Sequence, residues 1–489
     1  MEPDKTQLPG YRMLTTVFLC LLSLIAQSLY SLLVPFFATE VIKKGLSLNE
    51  IGFVYAVYPL AMFISSPIFG LMVPSIGSRY MIWAGLTIEG GCSILFGFLN
   101  WISDKKIFLI LAIILRFVQG LGAACYITAA YSIVASLFRQ SIATTMGVIE
   151  TFSSLGYAIG PPIGGVLFTV GGFILPFTIV GSFMVGMAPI VAYFIPVSKD
   201  ESVSTTKIMK KFCKIPYVYL ICIAVCLGIM TLTFLEINYS IHIKKLNLTY
   251  LQIGMVFLIP AGTYALIAIM TGMAADRYGY RQFVVAGLII MAISLQLLAP
   301  APYWKIPLNM RLVVIGLIIY AIGTNFLFMP SFAELLSVAA NKNIGDNLAT
   351  YSVGSGLFKA AQALGLIIGP IVGEALIAVP KLGFPWTSSL LGYILFAHRL
   401  QLFSVATFKA IKLITTECLT LSKWALVISC YLLYEKCKSK RKLQSDEIDD
   451  ETRQTLLKQK ITKETSGDVT YSTSDSTEYV SKATNAMEK

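Results

Sequence analysis

The run GVIETFSSLGYAIGPPIGG at residues 147–165 returns, altered but in register, as GLFKAAQALGLIIGPIVGE at residues 356–374. Gly147, Gly156, Gly160, Pro161 and Gly164 of the first copy correspond to Gly356, Gly365, Gly369, Pro370 and Gly373 of the second, and Gly165 corresponds to Glu374. Glycines at four-residue spacing let two membrane helices approach closely, and a proline bends a helix where neighbours absorb the lost hydrogen bond. The pattern predicts a duplicated, all-α membrane protein.

Two further pairs keep the same register. Gly70-Leu-Met-Val-Pro74-Ser75-Ile-Gly77-Ser-Arg79 matches Gly272-Met-Ala-Ala-Asp276-Arg277-Tyr-Gly279-Tyr-Arg281, and Gly172-Phe173 with Gly181 matches Gly383-Phe384 with Gly392. The halves are therefore parallel repeats, and a solute site is expected between them near the membrane midplane.

Composition agrees. Of 489 residues 56% are hydrophobic and 13% charged, about half the charge a soluble surface requires. Apolar segments of spanning length are expected near 13–38, 50–73, 80–99, 107–130, 143–168, 173–196, 217–240, 250–274, 282–299, 311–331 and 351–378, with a last, irregular one from 386. The first is too long for the core of a signal peptide and lacks a small-residue cleavage site, so it reads as a retained span. This divides the chain into an N-terminal segment (1–12), a six-helix half (13–197), a linker (198–216), a second six-helix half (217–434) and a polar tail (435–489).

The formal charge of +12 does not point to nucleic acid, because no basic stripe interleaved with aromatics lies along an amphipathic segment. Lys199, Lys207, Lys210, Lys211 and Lys214 fill the linker, and a second basic cluster covers 436–442, so linker and both termini are expected in the cytosol. Asn247-Leu-Thr249 falls on the other side as a glycosylation acceptor. Nine cysteines show no Cys-x-x-Cys pairing, which argues against a disulfide framework, and no metal or cofactor is expected. In the tail, Leu456-Leu457 after Asp449, Asp450 and Glu451 resembles a sorting signal that adaptors read; an ordinary solvated tail is the weightier reading.

An ionisable side chain within a span is costly, which makes it a functional candidate. Arg116 aligns with Ile319, so the duplicated scaffold does not demand its charge. Glu150 and Lys359 each stand six residues before a motif glycine, so pseudo-symmetry gives these opposite charges equivalent places. Ser153, Ser154 and Tyr157 share the face of Glu150, and Gln362 that of Lys359. This pair either lines a cavity or closes the interface as an ion pair. Glu236 near the end of span 7 is the next candidate, while Glu89 and Glu374 read as structural. Gln27, Tyr30, Tyr55, Tyr58 and Asn325 are cavity-lining candidates, an aromatic wall being suited to a cation.

These residues also carry a family resemblance. The loop Gly272 to Arg281, with Asp276, Arg277 and Arg281, resembles the gating loop of the major facilitator superfamily. Arg116-x-x-Gln119-Gly120-x-Gly122 resembles its proton-coupling motif, and Gly147 to Gly165 its antiporter motif. In the first half Pro74 and Ser75 stand where the gating loop has charges, so the latch is expected in the second half alone. Phe234-Leu235-Glu236 and Phe384-Pro385-Trp386 resemble the vesicular amine transporters, solute carrier family 18. The acids that the monoamine and acetylcholine branches carry are replaced here by Ala26, Asn325 and Lys359, so the resemblance is to the vesicular polyamine transporter branch.

The resemblance implies secondary transport of a small organic cation such as a polyamine, exchanged for protons across the bilayer of an acidic vesicle. Arg116, Gln119, Glu150, Glu236, Lys359, Asn325, Gln27 and Tyr58 are then the substrate and coupling candidates. An anionic or zwitterionic solute, for which Lys359 leaves room, and a non-transporting sensor are the alternatives. No Walker motif, zinc motif or Ser/His/Asp set supports an enzyme or primary pump. Span 12 is the anomaly: His398, Arg399 and Gln401 interrupt it after about a dozen residues, too few to cross a bilayer, and 399–424 reads as a possible insertion.

Overall fold

A computed structural model of the chain describes residues 9–33, 36–195, 204–246, 250–379 and 383–404. The described residues form helices α1 (Pro9–Ser31), α2 (Phe37–Lys43), α3 (Leu48–Ile76), α4 (Ser78–Phe98), α5 (Lys105–Leu137), α6 (Ile142–Gly171) and α7 (Ile174–Phe194) in the first half. After the linker come α8 (Thr205–Phe212), α9 (Pro216–Ile243), α10 (Tyr250–Tyr278), α11 (Tyr280–Leu298), α12 (Met310–Asn341), α13 (Leu348–Ile377) and α14 (Gly383–Ser404). Eleven of these are long and apolar enough to cross a membrane. The first expected span ends early, at Ser31, and a separate short helix follows from Phe37.

Short connections force consecutive spans to run antiparallel, so the bundle has a linker face, where α8 lies, and an opposite face. At the opposite end of the first half Phe36, Phe37, Phe96, Phe173 and Phe177 form one aromatic plug, with ring centroids 4.7–6.4 Å apart for Phe36 on Phe168, Phe37 on Phe173 and their neighbours. Large apolar side chains such as Ile64, Ile68, Leu95, Phe183 and Leu266 cover the outside, as a lipid solvent requires.

The repeat is written into the backbone. Gly77 and Gly279 turn the chain between the second and third spans of each half with φ of 99° and 102°, a region L side chains avoid. The arginine two residues later does the same work twice. Arg79 Nε donates to Ile195 O at 2.7 Å, and Arg281 donates to Leu402 O at 2.5 Å, so each holds the carbonyl end of the sixth span of its own half.

The motif glycines divide into two groups. Gly156, Gly160 and Gly164 lie against the α1 backbone at Leu24, Ser28 and Leu32, and Gly365, Gly369 and Gly373 lie against α9 at Cys226, Met230 and Phe234. Gly147 and Gly356 pack between the halves instead. A Cβ on Gly147 would come within 2.5 Å of Ala268 O on α10, and one on Gly356 within 2.5 Å of Ser66 O on α3. Gly165 belongs to neither group, since a Cβ there would meet nothing within 4 Å.

A stability difference follows. At Gly160 a methyl would sit 2.6 Å from Ser28 O, and a carbonyl in a helix cannot yield. Gly160→Ala is expected to cost about 1–3 kcal/mol, the usual penalty of overpacking. Gly165→Ala should leave the apparent melting temperature of the detergent-purified chain unchanged. Equal melting of both variants would remove the close α1–α6 seam from the account.

Span 12 is not broken within the described residues. α14 continues through His398, whose Nε2 lies 2.8 Å from Leu220 O on α9 and whose Nδ1 lies 3.1 Å from Gln401. His398 is held by neighbours on α9 and α14, while α14 is not among the eleven helices apolar enough to cross a membrane, in keeping with its interrupted apolar run. Residues 405–424 of the possible insertion, Asn247, Leu456-Leu457 and the tail lie outside the described residues.

Candidate functional site

The halves meet at four glycines that the repeat maps onto one another. Gly70 on α3 lies against Ser352 and Gly356 on α13, and Gly272 on α10 lies against Ala143 and Thr144 of α6. Ser355 Oγ on α13 donates to Thr128 O on α5 at 2.9 Å. At the linker end an exposed pair, Arg139 and Asp346, closes to 2.8 Å. Among the described residues, the hydrogen bonds that cross between α6 and the second half run from this end through Thr151 and Ser154 and stop at Tyr157. The molecule is closed toward its linker face.

Asp276 shows how that closure is held. The first N–H groups of a helix have no partner within it, and α6 has no capping bond from its own Ser141. Asp276, at the end of α10 in the other half, accepts from Ala143 N at 3.2 Å, Thr144 N at 2.8 Å and Thr144 Oγ1 at 2.5 Å. Tyr280 OH donates to the same carboxylate at 2.9 Å. A negative charge at a helix N-terminus also meets the positive end of the helix dipole. The equivalent position in the first half is Pro74, and α13 is capped locally by Asn347, which accepts from Thr350 N at 2.9 Å. The capping is thus one-sided among the described residues: a carboxylate crosses between the halves at α6, whereas α13 is capped from its own segment. Arg277 does not share it: its side chain is exposed and lies over its own neighbour Tyr278.

Arg116 is fully buried within the first half. It donates to Gln119 Oε1 at 2.9 Å and lies 4.9 Å from the Tyr58 ring centre, and Tyr58 OH donates to Glu89 Oε1 at 3.0 Å. Glu89, read from sequence as peripheral and structural, joins this cluster at 1% exposure. Nε of Arg116 and the second oxygen of Glu89 have no hydrogen-bond partner among the described residues.

Glu150 and Lys359 come together, but through a third residue that sequence reasoning missed. Tyr131 on α5 donates its hydroxyl to Glu150 Oε1 at 2.5 Å and accepts from Lys359 Nζ at 2.7 Å. Lys359 also donates to Gln362 Oε1 at 2.8 Å and lies 3.9 Å from the Tyr131 ring centre. Neither sequence alternative is complete: the two charges form no direct ion pair, and Glu150 is half-buried whereas Lys359 and Tyr131 are buried.

Glu236 sits on α9 beyond the midplane and is solvent-exposed. Tyr157 OH on α6 donates to it at 3.3 Å across the halves. Tyr30 on α1 stacks on Tyr157 with centroids 6.5 Å apart and lies tilted against Tyr58 at 5.4 Å. The result is an exposed carboxylate in the part of α9 away from the linker, with the phenol rings of Tyr157 and Tyr30 beside it. Tyr157 was legible only as a neighbour on the Glu150 face. Gln27 is half-buried on α1 and Tyr55 half-buried against Phe37. Asn325 is not a cavity residue; it is fully buried, donating to Tyr264 O at 3.3 Å and Ala321 O at 3.1 Å. Glu374 is exposed near the opposite face. Buried Glu334, absent from the sequence candidates, is held by Tyr217 OH at 2.9 Å.

The Major Facilitator Superfamily model matches residues 17–354 and again residues 221–398, one match beginning in each half. The chain belongs to the major facilitator superfamily. Within the superfamily it is 33% identical over 366 residues to the mouse MFS-type transporter SLC18B1, covering 74% of this chain and 79% of that one. It is 25% identical over 350 residues to the human synaptic vesicular amine transporter, covering 71% of this chain and 64% of that protein. The major facilitator fold is shared with the proton:xylose symporter XylE bound to 6-bromo-6-deoxy-D-glucose, at a TM-score of 0.66 with 13% identity, over 81% of this chain and 96% of that one. These relatives are transporters of solute carrier family 18 and its superfamily, not enzymes.

Proposed function

We propose that this transporter exchanges protons for an organic cation of the polyamine class and loads it into acidic vesicles, with the linker and both termini in the cytosol. The observation that carries the reading is Glu236, a solvent-reached carboxylate at membrane depth walled by Tyr157 and Tyr30. A carboxylate among aromatic faces suits an ammonium group. Glu150 extends the site. It lies seven residues before Tyr157 on α6, about 10 Å deeper at the helical rise of 1.5 Å per residue, which matches a flexible chain carrying a second amine.

An anionic solute fits less well, because Lys359 is already engaged by Tyr131 and Gln362 and is 8% exposed. The basic linker on the closed face supports the cytosolic assignment. Protons and amine would compete for the same carboxylates, so an acidic lumen releases the amine and the carrier returns with protons.

The test is uptake of labelled spermidine into proteoliposomes with an acidic interior, with a labelled monocarboxylate in parallel. Accumulation of spermidine that a proton ionophore abolishes is expected. Accumulation of the monocarboxylate instead would replace this reading, and no accumulation of any solute would favour the non-transporting sensor.

A further inference from the structure

The bridge between the halves has one end in reach of solvent. Glu150 is half-buried, whereas Tyr131 is 5% and Lys359 8% exposed. The elements packed around Glu150 face it with Tyr131 and Tyr126 from α5, Tyr264 from α10 and Lys359 from α13. From α1, Tyr30 lies on Tyr157, two turns further along α6. Of these groups Lys359 is the one cation, and its hydrogen bonds go to Tyr131 and Gln362. The ammonium is therefore balanced by Glu150 alone, through one phenol.

We propose that Tyr131 is a positioning residue for proton coupling: when Glu150 takes up a proton, the Lys359–Tyr131–Glu150 bridge loses its charge balance and the linker face opens. This rests on the antiport reading above. A protonated Glu150 still satisfies Tyr131 as a neutral hydrogen-bond partner, but it leaves Lys359 buried without a counter-charge. Removing one member of a buried pair is far more costly than the pair is worth. The ammonium is relieved by reaching water, and that requires α13 to move away from α5 at the seam where Ser355 meets Thr128.

The direction of coupling follows from the geometry. Glu236 is exposed seven residues before the end of α9 that lies away from the linker, and Glu150 lies on the same α6 face as Tyr157, seven residues nearer the linker end. A proton from the compartment away from the linker reaches the bridge first, and opening of the linker face then lets it leave on the other side. The proton is transferred from lumenal water to a Glu150 oxygen and returned from that oxygen to cytosolic water, so no other reactant is needed. Re-ionised Glu150 restores the bridge and recloses the face.

Opening can be read without substrate. Spin labels carried on unnatural amino acids at positions 140 and 342, both exposed at the linker face in different halves, report the separation of the halves in nanodiscs. In the otherwise intact chain, the long-distance population is expected to rise about tenfold from neutral to mildly acidic buffer, as a one-proton switch permits. Tyr131→Phe keeps the ring and cuts the bridge, so it should show the long distance at both pH values, as should Lys359→Met and Glu150→Gln. The same distances at both pH values in the intact chain would overturn the proposal. So would an unchanged pH response in both Tyr131→Phe and Lys359→Met. A chain that opens with acid but accumulates no amine would instead overturn the antiport reading and leave the switch standing.

Discussion

Replacing Glu236 by glutamine is expected to lower gradient-driven spermidine uptake about ten- to a hundredfold, since a hydrogen bond to a charged group is worth about 1.5–3 kcal/mol and each 1.4 kcal/mol is tenfold. The carboxylate has a single protein donor, Tyr157 at 3.3 Å, and is exposed, so little of the fold depends on its charge. The melting temperature should hold while the initial rate collapses, and Glu236→Asp should retain part of it. An uptake rate within about twofold of the parent, too small a change for a lost ion pair, would remove Glu236 from the site.

Asp276→Asn should produce the second large effect, on the conformational balance. Asparagine keeps the size of the side chain but loses the charge that four donors now share, Ala143 N, Thr144 N, Thr144 Oγ1 and Tyr280 OH. Charge-assisted bonds are roughly twice as strong as neutral ones, so the closed form should lose about 2 kcal/mol, equivalent to about a thirtyfold shift toward an open linker face. Spin-label distances between positions 140 and 342 measure it. Asn347→Ala is the control, because that cap is internal to α13 and spans no interface. If Asn347→Ala opens the linker face as far as Asp276→Asn, the one-sided latch is wrong.

How much of this was legible in the sequence depended on whether a residue's partner lies on its own helix or on a distant one. The glycine spacing of α6 and α13 foretold close helix contacts, and the contacts are there, with Gly70 against Gly356 at one seam and, at the other, Gly272 against Ala143 and Gly147 against Ala268. It did not distinguish Gly165, which faces open space, from Gly164, which faces Leu32, because a one-residue step turns a helical side chain to another face. The substitution of Pro74 for an acid left the carboxylate of this loop to the second half alone. What Asp276 grips, the first N–H groups of α6, is 132 residues away in sequence and carries no local signal.

The bridge is the clearest case. Glu150 and Lys359 stood out because charge within a span is rare, and pseudo-symmetry paired them. Tyr131 is one of 24 tyrosines, and nothing along α5 singles it out. Asn325 failed in the opposite sense, being polar in the sequence yet bonded to backbone carbonyls away from solvent. His398 interrupts the apolar run of the last helix, and nothing along the sequence shows that Leu220 O lies 2.8 Å from its ring.

The membrane as solvent, the duplication and the places where the halves differ can all be read along the chain. These are properties of composition and spacing, and they hold in any folded arrangement of the chain. That Glu150 reaches Lys359 through Tyr131, that Glu89 joins Arg116, and that Glu236 is exposed while Asn325 is buried emerge only once the helices are packed. Each of those depends on which faces of separate helices are brought within hydrogen-bond distance, and that is set by the packing of the two halves, not by the residues taken one at a time.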